Sequence, residues 1–254
     1  MKSYSASSAD GQSSAPVAMI GCAGWSIPSM VATEFSATGT HLQRYATRLS
    51  AVEINSSFYR PHRPETYARW AASVPESFRF SIKLPRDLTH TKKLTDTGPV
   101  LETFLDATAA LGEKHGPILV QLPPSLAFND QVASKFFGKF RQLYDGAIVC
   151  EPRHITWFTD DAMRILQAHR VGTAGVDPAI VDDALSPVPA DHTMYRRLHG
   201  SPKTYYSDYS EQYLARLAQL INSSKNAGTV WCIFDNTAQG HAWKNALRLG
   251  ELIS

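Results

Sequence analysis

The residues with the clearest chemical potential lie at the end of one apolar run near the middle of the chain. Ala147–Cys150 is followed directly by Glu151, Pro152, Arg153 and His154. A carboxylate and an imidazole that are held in position can transfer protons near neutral pH. A guanidinium binds carboxylate or phosphate groups through paired hydrogen bonds. A buried run that ends in these side chains predicts part of a functional site rather than part of a core.

Polar side chains follow the other strand-like runs of the chain in the same way. Side chains alternate between the two faces of a strand, so Glu53 shares a face with Asn55, and Arg197 shares a face with His199. An unpaired charge inside a protein is costly, so these groups must pair with one another or face a hydrated cavity. Besides Glu151, Arg153 and His154, the candidates are Trp25, Glu53, Asn55, Tyr59, Lys83, Gln121, Trp157, Arg197, His199, Asp235 and Asn236.

The elements that must position these residues alternate between strand-like and helix-like patterns. Short runs rich in β-branched and aromatic residues are separated by segments with apolar residues at helical spacing, which is typical of βαβ units around a parallel sheet. Eight such strands in about 235 residues predict an α/β protein, a single-domain TIM (β/α)8 barrel over residues 17–254. The predicted strands are Met19–Ser26, Ala51–Tyr59, Phe78–Pro85, Ile118–Pro123, Ala147–Cys150, Val171–Asp177, Met194–Gly200 and Thr229–Asn236.

Two segments depart from the regular alternation. The segment Pro178–His192 contains three prolines and no helical face, so the sixth helix is predicted to be degenerate or missing. Residues 1–16 are rich in Ser and Ala and lack the apolar core of a signal peptide, so they are predicted to be a disordered tail. A doubly wound sheet is the rival architecture. Because no GxGxxG or Walker pattern is present, neither that fold nor a cofactor is predicted.

Composition limits the class of protein. The net charge of +2 is too small to indicate nucleic-acid binding by itself. No apolar run approaches the roughly 18 residues that a membrane span needs. Cys22, Cys150 and Cys232 lie in apolar runs without metal-ligand spacing, which is typical of buried reduced thiols. The sequence therefore predicts a cytoplasmic protein with no metal centre and no membrane contact.

Basic residues outnumber acids around the predicted strand ends, which favours a small anionic ligand, phosphorylated or sugar-like. A nucleic-acid binder should carry its cations along an extended track with exposed aromatic residues. Here the cations converge on the strand ends, so nucleic acid is the less favoured partner. The basic residues are Lys83, Arg86, His90, Lys92, Lys93, Arg153, His154, Arg196, Arg197, His199 and Lys203.

These residues predict an enzyme, a hydrolase or lyase that uses acid–base or hydrolytic chemistry at the C-terminal face of the barrel. Glu53 or Glu151 would act as general base and His154 or His199 as general acid. In one variant Lys83 is a Schiff-base nucleophile, and in another Glu53 and Glu151 are the carboxylate pair of a glycosidase. The predicted substrate-binding residues are Trp25, Asn55, Tyr59, Gln121, Arg153, Trp157, Arg197, Asp235 and Asn236.

Three other interpretations stay open from the sequence alone. A metal-dependent barrel enzyme would use ligands from Glu53, Glu151, His154, His199 and Asp177, but no HxH or HExxH spacing supports it. A binding module without catalysis would hold an anionic metabolite or a nucleic acid with the same cations. Finally, Glu53 and Glu151 would be purely structural if they form ion pairs with Arg153, Arg197 or Lys83.

Several motifs together resemble the YecE family of bacterial proteins. They span nearly the whole chain after the predicted tail, and their combination is highly specific. The resemblance implies a TIM barrel and no established activity. Asp235 stands where the resemblance leads us to expect Asn more often, which weakens the prediction of an essential carboxylate there. The matching stretches are GCAGWS (21–26), VEINSSFYR (52–60), FRFSIKLPRDLTH (78–90), QLPPS (121–125), CEPRHITW (150–157), RLHG (197–200) with Tyr205 and Tyr209, and FDNTAQGHAWKNA (234–246).

The sequence also predicts the effect of replacing Glu151 by alanine. A carboxylate at a strand end is placed for function, so Glu151→Ala is expected to leave folding largely intact and to impair the response to ligand. Loss of folding would instead make Glu151 the structural partner of an arginine.

Overall fold

The strands of this protein form one closed parallel sheet. The computed structural model describes residues 16–224 and 227–253, so residues 1–15 of the predicted tail lie outside the described residues. Two short strands are halves of one, separated by Ala174: the first pairs with the preceding strand and the second with the following strand, which closes the barrel. The strands are β1 (Val17–Ala23), β2 (Ala51–Ile54), β3 (Arg79–Lys83), β4 (His115–Gln121), β5 (Ile148–Glu151), β6 (Val171–Thr173), β7 (Gly175–Asp177), β8 (Thr193–Leu198) and β9 (Thr229–Phe234).

Helices cover the outside of the barrel and bury their apolar faces against the sheet. Three helices begin at a capping side chain: Asn129, Thr159 and Ser210 each accept a hydrogen bond from a backbone N–H of the helix that follows. The α-helices are α1 (His41–Tyr45), α2 (Ser56–Tyr59), α3 (Pro64–Ala72), α4 (Gly98–Thr108), α5 (Asp130–Leu143), α6 (Asp160–Ala168), α7 (Glu211–Ser223) and α8 (His241–Ile253).

The predicted degeneracy of the sixth helix is confirmed. Between β7 and β8, only the short 3-10 turn Asp182–Leu185 is helical. The backbone of Val188 instead exchanges hydrogen bonds with that of Thr173. Gly172 permits this close approach, because a Cβ there would lie 2.4 Å from the carbonyl oxygen of Val188. The proline-containing loop therefore packs directly on the sheet where a helix would otherwise lie.

The predicted strand Ala51–Tyr59 is wrong in its second half. β2 ends at Ile54, and α2 begins two residues later. The hydroxyl of Ser57 lies 2.8 and 2.7 Å from the carbonyl oxygens of Ile54 and Lys83, which turns the chain away from the sheet. This turn brings the ring of Phe58 against the end of β3. The misread segment therefore affects the site as well as the fold.

Candidate active site

The interior of the barrel changes from apolar to charged along the strands. Its apolar part includes Ala51, Leu119, Val149 and Tyr195, one residue on each of four strands. Two positions further along, side chains point into the same interior. The charged layer thus lies at the C-terminal ends of the strands, where barrel enzymes hold their active sites. On these four strands it is formed by Glu53, Glu151 and Arg197, together with the neutral amide of Gln121.

Arg197 lies at the centre of this layer and is fully buried. It contacts Glu53 with two parallel hydrogen bonds, from Nε to Oε2 at 2.8 Å and from Nη2 to Oε1 at 2.7 Å. Its Nη1 donates to Oε2 of Glu151 at 2.7 Å, and its Nη2 also donates to Oδ2 of Asp235 at 3.0 Å. Bidentate and charge-assisted bonds of this kind are among the strongest in proteins. We call Arg197, Glu53, Glu151 and Asp235 the Arg197 network.

The electrostatics of the Arg197 network keep Glu151 and Asp235 ionised. Burial alone would raise the pKa of Glu151, but the charges of Arg197 and Arg153 and the interaction with His199 hold that pKa well below its usual range. Burial also acts to raise the pKa of Asp235, and Arg197 and the hydrogen bond of His199 outweigh it, so this pKa is lowered too. These two carboxylates are therefore ionised at neutral pH. The guanidinium of Arg197 is occupied by them, which does not favour its predicted contact with a ligand.

Arg153 and His199 extend the network towards the open end of the barrel. Arg153 donates from Nε to Oε1 of Glu151 at 2.6 Å and from Nη2 to Nε2 of His199 at 2.7 Å. Because arginine only donates, Nε2 of His199 is the acceptor, and we assign the ring hydrogen to Nδ1, which donates to Asp235 at 3.0 Å. His199 is fully buried, whereas the side chain of Arg153 is 15% exposed. Arg153 is thus the network cation that can reach a ligand.

Lys83 ends β3 and differs from the other cations of the site. Its side chain is only 9% exposed, yet within the described residues its ammonium makes no hydrogen bond and no ion pair. The nitrogen lies 4.4 Å above the ring of Phe58. Burial and the charge of Arg197 lower the pKa of Lys83, although Glu53, Glu151 and Asp235 oppose this shift. A buried lysine of this kind loses its proton more readily than a solvated one.

Other predicted site residues lie outside the network. Trp157 is buried in the core, and its Nε1 donates to the carbonyl of Leu126 at 2.9 Å. His154 accepts a hydrogen bond from the backbone of Thr156 at the start of a 3-10 turn. Tyr59 is 79% exposed. None of these positions favours the predicted role, and the site proposed below does not include these residues.

The remaining predicted residues have diverse positions. The amide of Gln121 donates to Glu151 at 3.4 Å, at the edge of the network. Trp25 packs edge-on against Trp70, with ring centroids 4.9 Å apart. Asn236 donates to the loop after β8 and to Asn245 on α8, so it holds the end of β9 to its helix. The buried Oδ1 of Asn55 has no hydrogen-bond partner among the described residues.

Sequence reasoning missed two tyrosines that contact this site. The hydroxyl of Tyr195 donates to Oε2 of Glu53 at 2.9 Å and lies 2.7 Å from Oγ of Ser81. Tyr195 shares a strand face with Arg197, so alternation along β8 indicated its position. Tyr205 belongs to the loop after β8, and its ring packs edge-on against His199 at 5.9 Å. It was singled out only by resemblance, because nothing in a loop sequence indicates the contact.

The described part of the chain lacks the features of two other kinds of site, a metal centre and a membrane span. It contains no group of three His, Cys, Asp or Glu side chains arranged to hold a metal ion. Cys22, Cys150 and Cys232 are buried and free, as predicted. None of the helices in 16–224 and 227–253 combines the length and apolar character that crossing a bilayer requires.

A closed parallel (β/α)8 barrel with charged side chains at its strand ends places this chain among the TIM-barrel proteins. Residues 19–254 match the family described as "Protein of unknown function DUF72", and the chain belongs to this family. It is 22% identical to the UPF0759 protein YunF of Bacillus subtilis strain 168, over 92% of this chain and 94% of YunF. It is 31% identical to the UPF0759 protein YecE of Escherichia coli strain K12 over 104 residues, which cover 41% of this chain but only 37% of YecE. The predicted family is thus confirmed.

Solved structures support the same fold. A crystal structure of a DUF72 family protein from Enterococcus faecalis V583 matches with a TM-score of 0.76 at 22% identity, covering 93% of this chain and 95% of that one. A D-allulose 3-epimerase from Methylomonas sp. matches with a TM-score of 0.52 at 12% identity, over 94% and 97% of the two chains. The 3-keto-L-gulonate-6-phosphate decarboxylase of Vibrio cholerae matches at 0.51 and 12%, over 94% and 98%. At these identities the likeness shows the fold alone.

The structure changes the expectation for Glu151→Ala. Glu151 is fully buried and neutralises both Arg197 and Arg153. Removing its carboxylate leaves buried positive charge uncompensated, so we expect the free energy of unfolding to fall by about 3–5 kcal/mol at neutral pH. Urea denaturation measures this loss. Glu102→Ala is the control, because it removes an exposed ion pair with Lys139 and should cost at most about 1 kcal/mol. Equal effects of the two substitutions would contradict the buried role of Glu151.

The ion pairs of Glu151 with Arg197 and Arg153 also predict that stability depends on pH. Since the folded pKa of Glu151 lies below the unfolded value of about 4.3, the unfolded chain takes up the proton first as the pH falls. The stabilisation by Glu151 is therefore complete above the unfolded pKa and is lost as the pH falls through the folded one. Glu151→Gln should lack this part of the acid dependence. Identical acid profiles for the variant and the wild type, measured by urea denaturation at several pH values, would refute it.

Replacing Lys83 is expected to stabilise the protein, whereas replacing Glu151 by alanine is expected to destabilise it. Lys83→Met removes a cation that is 9% exposed and that makes no hydrogen bond within 16–224 and 227–253, so we expect it to raise the free energy of unfolding at neutral pH by roughly 0.5–2 kcal/mol. The folded pKa of Lys83 lies below the unfolded value of about 10.4, so the unfolded chain binds more protons between the two. The stability of the wild type therefore rises with pH in this window, and the advantage of the variant should shrink there.

Lys114→Met is the matched control for Lys83→Met. Lys114 is equally buried, at 7% exposed, but its ammonium donates to the carbonyls of Ala71 and Val74 at 2.8 and 2.9 Å and pairs with Glu76 at 3.2 Å. Its replacement leaves these acceptors unpaired and should destabilise the protein. If both lysine substitutions destabilise to the same extent in urea denaturation, Lys83 does not carry the cost inferred for it.

Proposed function

We propose that this protein is an enzyme that carries out acid–base chemistry on a small anionic, sugar-like molecule at the C-terminal face of the barrel. One observation carries this proposal. The carboxylates of the charged layer bind Arg197, while the amine of Lys83 makes no hydrogen bond and no ion pair within the described residues. Ionisable groups whose pKa is shifted by burial and by neighbouring charges, as that of Lys83 is, are concentrated at active sites.

Arg153 is the residue proposed to bind the anionic group of the substrate. Two of its nitrogens are bound to Glu151 and His199, but within the described residues its Nη1 makes no hydrogen bond. These two contacts hold the guanidinium in one orientation and leave one side of it available to a ligand. A planar guanidinium oriented in this way suits a carboxylate or a phosphate.

Lys83 is proposed to be the reactive group, and Tyr205 to cover the site. A lysine whose pKa is lowered by burial is neutral more often near pH 7 and can then accept a proton from the substrate. Tyr205 is 43% exposed and packs its ring edge against His199, so it stands at the border between the network and solvent. The Arg197 network would line the bottom of the site and hold charges of opposite sign in fixed positions close to the reacting atoms.

A glycosidase is the weaker alternative. That reaction needs one carboxylic acid that is protonated when it meets the leaving group. Glu151 has a lowered pKa, and both oxygens of Glu53 accept hydrogen bonds from Arg197. Neither carboxylate is placed as a proton donor. A binding module without catalysis is the other alternative, and it would use Arg153 and Lys83 without turnover.

The fold-level neighbours are compatible with a sugar-like substrate, because two of them carry names of sugar-converting enzymes, an epimerase and a decarboxylase. Their identity to this chain is 12%, so they add nothing on residues. The substrate class proposed here depends on the cations of the site itself.

Ligand-dependent stabilisation tests the anion site. We expect a phosphorylated sugar among ribose 5-phosphate, glucose 6-phosphate and related compounds to raise the melting temperature, since a ligand at about 100 times its Kd adds about 2.7 kcal/mol of stability. Arg153→Ala should abolish this shift. Arg164→Ala is the control, because Arg164 lies on the surface of α6 and pairs only with Asp161. Equal shifts in wild type and Arg153→Ala would remove Arg153 from the site.

Turnover separates the enzyme from the binding module. The stabilising compound is incubated with the protein, and its conversion is followed by NMR. Wild type should convert it, whereas Lys83→Met should still bind it through Arg153 and leave it unchanged. A compound that stabilises the wild type but is never converted would favour the binding module.

A further inference from the structure

We infer that Lys83 forms a Schiff base with its substrate, which is therefore a small anionic aldehyde or ketone. This inference rests on the proposed function, because it names the substrate class of the same site. It follows from the burial of Lys83, from the Phe58 ring against its amine, and from the carboxylates that bind Arg197 instead of Lys83.

A comparison with Lys114 shows how unusual the placement of Lys83 is. Both lysines are buried, at 9% and 7% exposed. Lys114 has three oxygen partners within 3.2 Å, as a buried ammonium normally requires. Within the described part of the chain, Lys83 has neither hydrogen bond nor ion pair. A lysine that served only to bind an anion would be most effective as a solvated or ion-paired ammonium, whereas a nucleophile must offer a free electron pair.

The Arg197 network explains why, within the described residues, no carboxylate forms an ion pair with Lys83. Glu53, Glu151 and Asp235 are near enough to influence its charge, but each directs an oxygen to Arg197 instead. The two parallel bonds to Glu53 fix that carboxylate in particular. Arg197 thus removes the acceptors that would hold Lys83 as an ammonium and adds a positive charge that disfavours its protonation. A second cation beside a desolvated lysine is a known way to activate the amine.

The ring of Phe58 adds a second feature suited to this chemistry. Its face lies 4.4 Å from the lysine nitrogen, and Phe58 itself is 9% exposed. The ring shields the amine from water on that side without accepting a conventional hydrogen bond. When the amine becomes an iminium, the positive charge remains over the ring and beside the three carboxylates, both of which stabilise a cation.

The covalent steps balance without any further reagent than water and protons. The amine nitrogen attacks the carbonyl carbon, and its lost proton and one from solution convert the carbonyl oxygen into a leaving water. The product is a protonated imine, and one water is released. The proton of a neighbouring C–H bond then passes to water, and the electron pair of that bond moves towards the imine nitrogen, which forms a neutral enamine. After reprotonation of the enamine, one water hydrolyses the imine and restores the free amine and a carbonyl product.

Reductive trapping tests this inference directly. The full-length protein is incubated with pyruvate or with dihydroxyacetone phosphate, and sodium borohydride is added to reduce any imine to a stable secondary amine. Intact mass and peptide mapping should show a single adduct per chain, on Lys83. Lys114 in the same digest should be unmodified. Lys139→Met, which removes an exposed lysine of α5, should form the adduct as the wild type does, and Lys83→Met should form none.

The controls separate this inference from the proposed function. Glycerol 3-phosphate carries an anion but no carbonyl group, so it should give no adduct under the same conditions. If neither carbonyl probe modifies Lys83, or if the adducts are spread over exposed lysines, the Schiff base is refuted. The proposed function would still stand if Arg153→Ala abolishes the stabilisation by a phosphorylated sugar and Lys83→Met abolishes turnover. It would fall as well if the wild type shows neither response.

Discussion

The arrangement of the charged side chains at the open end of this barrel depends on how the buried guanidinium of Arg197 is neutralised. Arg197 is fully enclosed, and it remains charged inside the protein only because three carboxylates from β2, β5 and the end of β9 bind it. An isolated charge at that depth would be prohibitive. The contact therefore ties together strands that are far apart in the sequence. It also determines which charged groups are left over for chemistry.

Two further cations of the site, Arg153 and Lys83, have different roles. Arg153 is oriented by Glu151 and His199, and its Nη1 makes no hydrogen bond within the described residues. Lys83 has no hydrogen bond or ion pair in the same part of the chain, and burial and Arg197 lower its pKa. The same carboxylates thus serve the fold and the site at once. Their removal is expected to damage the fold first, which is why substitutions of Lys83 and Arg153, rather than of the acids, report on function.

The period-two alternation of side chains was enough to predict the charged layer. It placed Glu53, Glu151 and Arg197 at strand ends of a barrel, and the proline-rich loop predicted the missing sixth helix. Alternation gives the face of a strand, however, and not which side chains across the barrel meet. The same limit explains the error at Ser56–Tyr59, where the hydroxyl contacts of Ser57 with Ile54 and β3, invisible in the sequence, end the strand early. Loop contacts such as that of Tyr205 depend on tertiary structure in the same way.

The most direct measurement of this arrangement is an NMR titration of the protein labelled with 13C at the lysine ε-carbons. If Arg197 binds the carboxylates so that none of them pairs with Lys83, one lysine resonance must titrate at a lower pH than the others. This resonance must be absent from Lys83→Met. An ordinary lysine titrates near about 10.4. If every lysine resonance, including that of Lys83, titrates together near this value, then Lys83 is a solvated or paired ammonium, and the chemistry inferred for it is contradicted.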